Sequence, residues 1–199
     1  MSKYQKPREW ISSEWMGENL ISKDKEYQIV KYFGCSGFGH FFMAISSDHC
    51  LTLLKIFNDN KNYEYEVETI KNVQKTLSTE HFLTFLDYFI YTKEKFHYPI
   101  LVFQFVEQYI TIHQYLEGYL FYEEIKTSLK EKLITEIEKL HQLSLAHNSL
   151  DLHTILIHPA SGNIKFMDLG YCLNRWMKQL SEKEFLERTE KDLEFIRNL

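Results

Sequence analysis

Two short stretches of this sequence contain most of the residues that could do chemistry. Residues 147–157 read HNSLDLHTILI, and residues 164–170 read IKFMDLG. Together they offer aspartate, serine and histidine, which are the side chains that enzymes use to move protons and to attack substrates. The two stretches raise the question of whether the chain catalyses a reaction or only keeps the frame of an enzyme.

Histidines and a cysteine near these stretches suggest two further chemistries. His141, His147, His153 and His158 are close in sequence, but no pair has the His-x-x-x-His spacing with a helper carboxylate that zinc enzymes use. Cys172 and His147 could form a nucleophilic pair, yet the sequence supplies no oxyanion hole. We therefore disfavour both metal-only chemistry and thiol chemistry.

The elements that must position these residues follow from hydrophobic periodicity. Five β-rich segments lie within residues 27–57 and 82–106, and a stretch with helical spacing separates the third from the fourth. The predicted helices cover 62–77, 122–143 and about 181–198, and two short strands cover 154–157 and 164–167. This order predicts an α+β protein in two lobes, with a five-stranded first half and a mostly helical second half.

Composition excludes several classes of partner. The chain has 199 residues, a net charge of −5 and no basic block, which argues against nucleic acid. No apolar run approaches the ~20 residues that a membrane span needs, and the first residues are polar. The three cysteines are widely spaced, which indicates a reducing compartment. We expect a cytoplasmic protein without a membrane partner, although delivery into another cell would leave the same signature.

The order of the landmarks resembles the protein-kinase-like family. Residues 33–41, FGCSGFGHF, are similar to its Gly-rich loop, with Gly34, Gly37 and Gly39 as the glycines that would approach nucleotide phosphates. LLKIF at 53–57 resembles the strand that carries the family's lysine, here Lys55. Glu66 lies on the following helix, where the resemblance implies the partner carboxylate of that lysine.

The next landmark resembles the strand and hinge that frame adenine in this family. In YPILVFQFVE at 98–107, Phe103 takes the gatekeeper position, and Gln104 and Val106 take the nucleotide-contacting positions of the hinge. The resemblance implies a two-lobed kinase-like fold over 27–199, with a small lobe at about 27–105 and a second lobe at about 106–199. Residues 1–26 would be an N-terminal extension, pinned to the body by Trp10 and Trp15.

The second half resembles the catalytic part of the family. LHQLSLAHNSL at 140–150 is similar to the helix that leads into the catalytic loop, with His147 as the structural histidine. FMDLG at 166–170 resembles the Asp-Phe-Gly motif, which implies that Asp168 holds magnesium. RTEKDLEFI at 188–196 resembles the next core helix, in which Asp192 would brace the loop.

The loop departs from the family's pattern where catalysis depends on it. Aligned on His147 and Leu150, the position of the catalytic aspartate is Ser149, and the magnesium-binding asparagine is Thr154. A serine hydroxyl is not a carboxylate base, and losing such a base typically costs ~10²- to 10⁴-fold in rate. In a second register, DLH at 151–153 would make Asp151 a displaced base.

The nucleotide site is altered as well. Leu53 replaces the small alanine under the adenine, Phe41 replaces a valine, and Ser36 replaces the middle glycine of the loop. Larger side chains would fill the slot, so we expect weak or absent binding of ATP and magnesium. The chain also lacks the later helices of the family, a truncation similar to that of small kinases among bacterial effector proteins.

Two hypotheses follow from these matches and departures. The first is a degenerate kinase-like domain, a pseudokinase that acts by binding or regulating a protein partner. The alternative is an active minimal ATP-dependent protein serine/threonine kinase. In it, Lys55 would grip the phosphates, Asp168 and Thr154 would hold magnesium, and Asp151 would serve as the base.

Overall fold

A computed structural model describes residues 12–36, 38–57, 62–76, 81–118, 122–176 and 178–199. The chain divides into two compact units. The first consists of Met1–Glu68 and Thr84–Phe105, and the second consists of Thr69–Leu83 and Val106–Leu199.

The first unit is built on one antiparallel sheet of six strands. In chain order the strands are β1 (Asn19–Ser22), β2 (Lys25–Cys35), β3 (Gly39–Ser46), β4 (Leu51–Phe57), β5 (Phe85–Lys93) and β6 (Phe96–Gln104). Their order in the sheet is β1-β2-β3-β4-β6-β5. The sheet curls until its two edge strands approach each other, and there Ser22 Oγ donates to Asp87 Oδ2 at 2.8 Å.

The curled sheet encloses an aromatic core. Trp15 lies in a 3₁₀ turn at Ser12–Trp15, is 3% exposed, and meets the ring of Tyr98 edge-on at 4.9 Å. Its buried indole adds a large apolar area to a small sheet. The buried residues of this core are Trp15, Leu20, Tyr27, Ile29, Phe42, Ala44, Leu54, Ile56, Ile100 and Val102.

Helix α1 (Tyr63–Thr76) follows β4 in the chain, and the division between the two units falls within it. In its first turn, the ring of Tyr63 meets that of Phe57 edge-on at 5.5 Å. Glu66 is buried one turn later. An acidic residue near a helix N-terminus is also favoured by the helix dipole.

The second unit combines three helices with two small sheets. The helices are α2 (Ile112–Glu117), α3 (Tyr122–Gln142) and α4 (Glu182–Arg197). The short strands are β7 (Ile110–Thr111), β8 (Leu145–Ala146), β9 (Ile155–Ile157), β10 (Ile164–Phe166) and β11 (Leu173–Asn174). They form a three-stranded sheet in the order β10-β9-β7 and a separate pair, β11-β8. Helix α4 begins with a capping box, in which Ser181 and Glu184 each bond the other's backbone.

The predicted α+β class is confirmed, but the predicted kinase-like arrangement is wrong. The main sheet has six antiparallel strands and curls toward closure, so it is not a five-stranded small-lobe sheet. The second half is not simply helical, because it contains two small sheets.

The missed strand of the main sheet is β1, which the sequence prediction placed in an extension, and the two-residue strands β7, β8 and β11 of the second unit were missed as well. Strand β1 has only four residues, of which Leu20 and Ser22 are buried, so its periodicity is too short to detect. Its pairing with β2 is a tertiary contact that periodicity does not encode. Trp15 is anchored in the core as predicted, and Trp10 lies outside the described residues. None of the described helices is long and apolar enough to cross a membrane.

Candidate functional site

The first group of predicted site residues centres on a buried ion pair. Lys55 is the central residue of the buried part of β4, and its Nζ lies 2.5 Å from Glu66 Oε2. The two side chains are 0% and 1% exposed. Isolated buried charges are very costly, so the two groups neutralise each other. The sequence prediction that this lysine and this glutamate meet agrees with the geometry.

Two aromatic rings lie close to the ammonium group of Lys55. Lys55 Nζ lies 4.7 Å from the centre of the Phe57 ring and 5.7 Å from that of Phe41. Aromatic faces attract cations, and more strongly when the cation is out of water. The charge of Lys55 is therefore compensated from inside the protein by Glu66 and by both rings.

The residues assigned to the adenine slot share the sheet face of Lys55. Cross-strand pairing sets Phe41 beside Lys55 and Leu53 beside Phe103, and cross-strand partners point to the same face. Leu53, Phe41 and Phe103 are all buried. The ring of Phe103 also packs against that of Phe85 at 6.0 Å.

The glycines of the predicted loop have structural reasons to be glycine. Gly39 begins β3, and a methyl group there would collide with the backbone carbonyl of Ile56. Gly34 has φ +152° at an irregularity in the pairing of β2 with β3, a backbone conformation that side chains disfavour. Gly37 lies outside the described residues.

His40 follows these glycines as the second residue of β3. Its Nδ1 lies 3.2 Å from the hydroxyl of Tyr32. Burial lowers the pKa of His40 to about 4, so the ring is neutral at pH 7.

Both predicted hinge residues form backbone hydrogen bonds within the protein. Gln104 ends β6 in the first unit, and its N–H donates to the carbonyl of Thr84 at 2.8 Å. Val106 belongs to the second unit, where its carbonyl accepts from the N–H of Tyr109 at 3.0 Å.

In the second unit, the loop after β8 is braced by helix α4. The carboxylate of Asp192 is buried and accepts from the backbone N–H groups of His147 and Asn148, each at 2.7 Å. His141 Nε2 lies 3.1 Å from the same carboxylate. The prediction that Asp192 braces this loop is confirmed. His141 was missed as its neighbour, because nothing in the local sequence shows which face of α3 meets α4.

His147 joins the loop to the stretch that contains Asp168. Its ring is fully buried, and Nε2 lies 2.8 Å from the carbonyl of Met167, to which it donates. Met167 N–H in turn donates to the carbonyl of Thr154 at 2.8 Å. The two stretches that the sequence singled out are therefore tied together around a packed structural histidine.

Asp151 and Thr154 close a turn on each other. Asp151 Oδ1 accepts from the N–H groups of His153, at 2.6 Å, and Thr154, at 2.8 Å. Thr154 Oγ1 accepts from Asp151 N–H at 2.9 Å and bonds the carbonyl of Asp151 at 3.2 Å. Asp and Thr side chains commonly stabilise turns in this way. Asp151 is exposed, Ser149 is half-buried and Thr154 is buried.

Asp168 adopts a conformation that is uncommon for residues other than glycine. Its φ and ψ are 59° and 64°, and it is buried directly before a 3₁₀ turn at Leu169–Tyr171. Such left-handed backbone is costly and is often kept at functional positions. Among the predicted site residues that the structure describes, Asp168 is the one residue other than glycine with a positive φ.

Two of the residues assigned to ATP and magnesium have partners within the protein. Lys55 is enclosed with its own counter-charge, and the Thr154 hydroxyl is bonded to its own turn. Within the part of the chain that the structure describes, no three histidine, cysteine or acidic side chains are placed to hold a metal.

The four clustered histidines have separate neighbours. His141 meets Asp192, His147 meets Met167, His153 stacks on His113 at 4.6 Å, and His158 meets Gln108 at 2.7 Å.

One neighbour of Lys55 could have been identified from the sequence alone. Phe57 follows Lys55 by two residues on a strand, so both side chains must share a face.

No family model matches this chain, and no curated protein matches it.

Proposed function

We propose that this chain is a non-catalytic relative of protein kinases that acts by binding a protein partner and does not transfer phosphate. The observation that carries the proposal is the state of Asp151. It is the only acidic residue between 147 and 154, and its Oδ1 is held by two N–H groups of its own turn. These two hydrogen bonds give the Asp151 carboxylate a structural role in its own turn.

Two internal contacts support the relationship to kinases. Lys55 pairs with Glu66, and Asp192 holds the backbone of the loop at 147–148. The resemblance places these residues in those roles. The chain therefore retains contacts that organise such a protein, while Ser149 and Thr154 replace the groups that would act on a substrate.

Exposed apolar side chains on the outer face of β5 support the proposal that this chain binds a protein partner. Leu86, Tyr88 and Ile90 are 52%, 43% and 57% exposed on this edge strand. Exposed apolar side chains that lie next to one another mark protein interaction sites more often than isolated ones do.

The absence of phosphate transfer is tested by incubating the purified protein with magnesium and γ-labelled ATP, alone and with general protein substrates. We expect no label in any protein. Label that disappears in Lys55→Met and Asp151→Ala would contradict the proposal and establish the alternative, an active minimal kinase with Asp151 as a displaced base.

The partner is tested by affinity enrichment from cell extracts, using the native chain and a Tyr88→Glu, Ile90→Glu variant. We expect at least one protein that binds the native chain and is lost from the variant. Lys183→Glu, an exposed change in α4 that adds the same negative charge as the double variant, is the matched control and should retain it. Identical sets of proteins for the native chain and the double variant would argue against this face as the binding surface.

A further inference from the structure

We infer that residues 12–22 form a strap that closes the gap between the two edges of the six-stranded sheet, and that Lys93 is the latch that holds this strap on β5. The strap opens as a local unit, at a lower free energy than the sheet unfolds. The inference concerns the first unit alone and does not depend on the proposed function.

The strap is attached to the sheet in two different ways. On one side, β1 pairs with β2 through an antiparallel backbone ladder. On the other side it approaches β5, but β1 and β5 stand at opposite ends of the sheet order, so among the described strands no backbone ladder joins these two. Side chains bridge this second side instead. At one end of the gap, Ser22 Oγ donates to Asp87 Oδ2 at 2.8 Å.

At the other end of the gap, several parts of the strap converge on Lys93. Its Nζ donates to Glu18 Oε1 at 2.8 Å and to the backbone carbonyl of Glu14 at 2.9 Å. It also lies 4.9 Å from the centre of the Trp15 ring, where an aromatic face attracts a cation. A single ammonium group on β5 therefore holds the turn that carries Trp15.

The latch is weaker than the ladders inside the sheet. The side chains of Lys93 and Glu18 are 26% and 32% exposed, so water and salt screen their attraction. Such an ion pair, or a cation–π contact near the surface, shifts an equilibrium by only about two- to fivefold. By contrast, β4 has a backbone ladder on both sides. Segments with few interior hydrogen bonds open locally while the core stays folded.

Opening of the strap changes which surface the first unit presents. Trp15 is 3% exposed in the closed state, and it lies within the strap. An open strap brings this indole into water and uncovers the edge of β5. The latch therefore controls access to an apolar surface that the closed state hides.

The latch is tested by amide hydrogen exchange followed by mass spectrometry, comparing peptides from residues 12–22 with peptides from β4. In Lys93→Met we expect exchange within 12–22 to become about 3- to 10-fold faster, because the ion pair and the cation–π contact are both lost. Exchange within β4 should change by less than about twofold. Glu18→Gln removes the ion pair alone and should accelerate the same segment by a smaller factor.

Lys95→Met is the matched control for this experiment. Lys95 is exposed and lies two residues beyond Lys93, and its replacement removes the same charge, so exchange within 12–22 should keep the native rate. Native exchange rates in Lys93→Met would overturn the inference. Equal acceleration of 12–22 and β4 would overturn it too, since the strap would then open only when the whole unit unfolds.

Ionic strength gives a second measurement of the latch. Raising the salt from 0.1 to 1 M shortens the screening length from about 10 Å to 3 Å, which weakens a partly exposed ion pair. Exchange within 12–22 should therefore accelerate about twofold in the native chain and stay constant in Lys93→Met. The same salt response in both proteins would show that the charge of Lys93 does not hold the strap, and would overturn its role as the latch.

Discussion

At the scale of single residues, the buried charge of Lys55 gives the clearest energetic expectation. Both side chains of the pair with Glu66 are shielded from solvent, so each charge depends on a counter-charge within the protein. Removing one member of a buried pair leaves an uncompensated charge, whereas replacing both by apolar groups is often neutral. The pair is therefore a source of conformational order more than of net stability.

This reasoning predicts the outcome of a double-mutant cycle. Lys55→Met should destabilise the protein by about 3–5 kcal/mol, because the buried Glu66 carboxylate loses the lysine that neutralises it. Lys55→Met with Glu66→Leu should recover most of that loss. Urea unfolding of the native chain, Lys55→Met and the double variant measures these changes in the free energy of unfolding. A double variant that is no more stable than Lys55→Met would show that the pair contributes through something other than mutual neutralisation.

His40 gives a residue-scale prediction about pH. Its folded pKa of about 4 lies below the usual value near 6.5, so the unfolded chain binds the proton more readily between these values. Stability is then fully present above pH 6.5 and falls as the pH drops toward 4. We expect a loss of about 1 kcal/mol, because partial exposure of the ring reduces the effect through solvent screening.

The measurement is urea unfolding at pH 7 and pH 4.5 for the native chain and for His40→Asn. The native chain should lose more stability than the variant over this interval. His49→Asn, an exposed change at the turn between β3 and β4, is the control and should behave like the native chain. The same pH dependence in the native chain and in His40→Asn would show that His40 is not responsible.

At the scale of elements, helix α4 organises the loop that follows β8 through one side chain. Asp192 and Asp151 each accept two backbone N–H groups, but Asp192 does so in the interior and Asp151 at the surface. Leaving a buried N–H group without its acceptor costs about 1–3 kcal/mol of stability, whereas an exposed N–H group can hydrogen-bond to water instead.

We therefore predict that Asp192→Ala destabilises the protein by at least about 2 kcal/mol and that Asp151→Ala costs less than about 1 kcal/mol. Amide hydrogen exchange should also become faster at His147 and Asn148 in Asp192→Ala. Equal losses of stability in the two variants would mean that burial does not set the strength of this brace.

At the scale of the whole molecule, the first unit depends on residues near the start of the chain. Trp15 lies in the core and β1 pairs with β2, so the curled sheet is incomplete without them. Losing a buried Trp alone typically costs 3–5 kcal/mol.

Deletion of residues 1–23 should therefore abolish cooperative unfolding or lower stability by more than about 4 kcal/mol. Deletion of residues 1–11 leaves every described contact in place and is the matched control. Thermal unfolding followed by circular dichroism compares the two. Equal stability of both shortened chains would mean that β1 and Trp15 are dispensable for the fold.

Local patterns in the amino-acid sequence correctly predicted the elements with long, regular periodicity. Strands β2 to β6, helices α1, α3 and α4, and the short strands β9 and β10 all lie where it predicted them. Alternation and helical spacing are local properties, so they survive into the structure. The sequence also placed Lys55 near Glu66 and Asp192 near the loop, through the order of its landmarks.

The closure of the sheet and the surroundings of the site residues depend on tertiary contacts that local patterns do not encode. Strand β1 and the curl of the sheet depend on pairing between distant segments, which no local pattern contains. The burial of Lys55 with Glu66 and the hydrogen bonds that Asp151 accepts are likewise set by packing and backbone geometry. Residue identity offers a chemistry, and burial and hydrogen bonding decide whether that chemistry is accessible to a substrate.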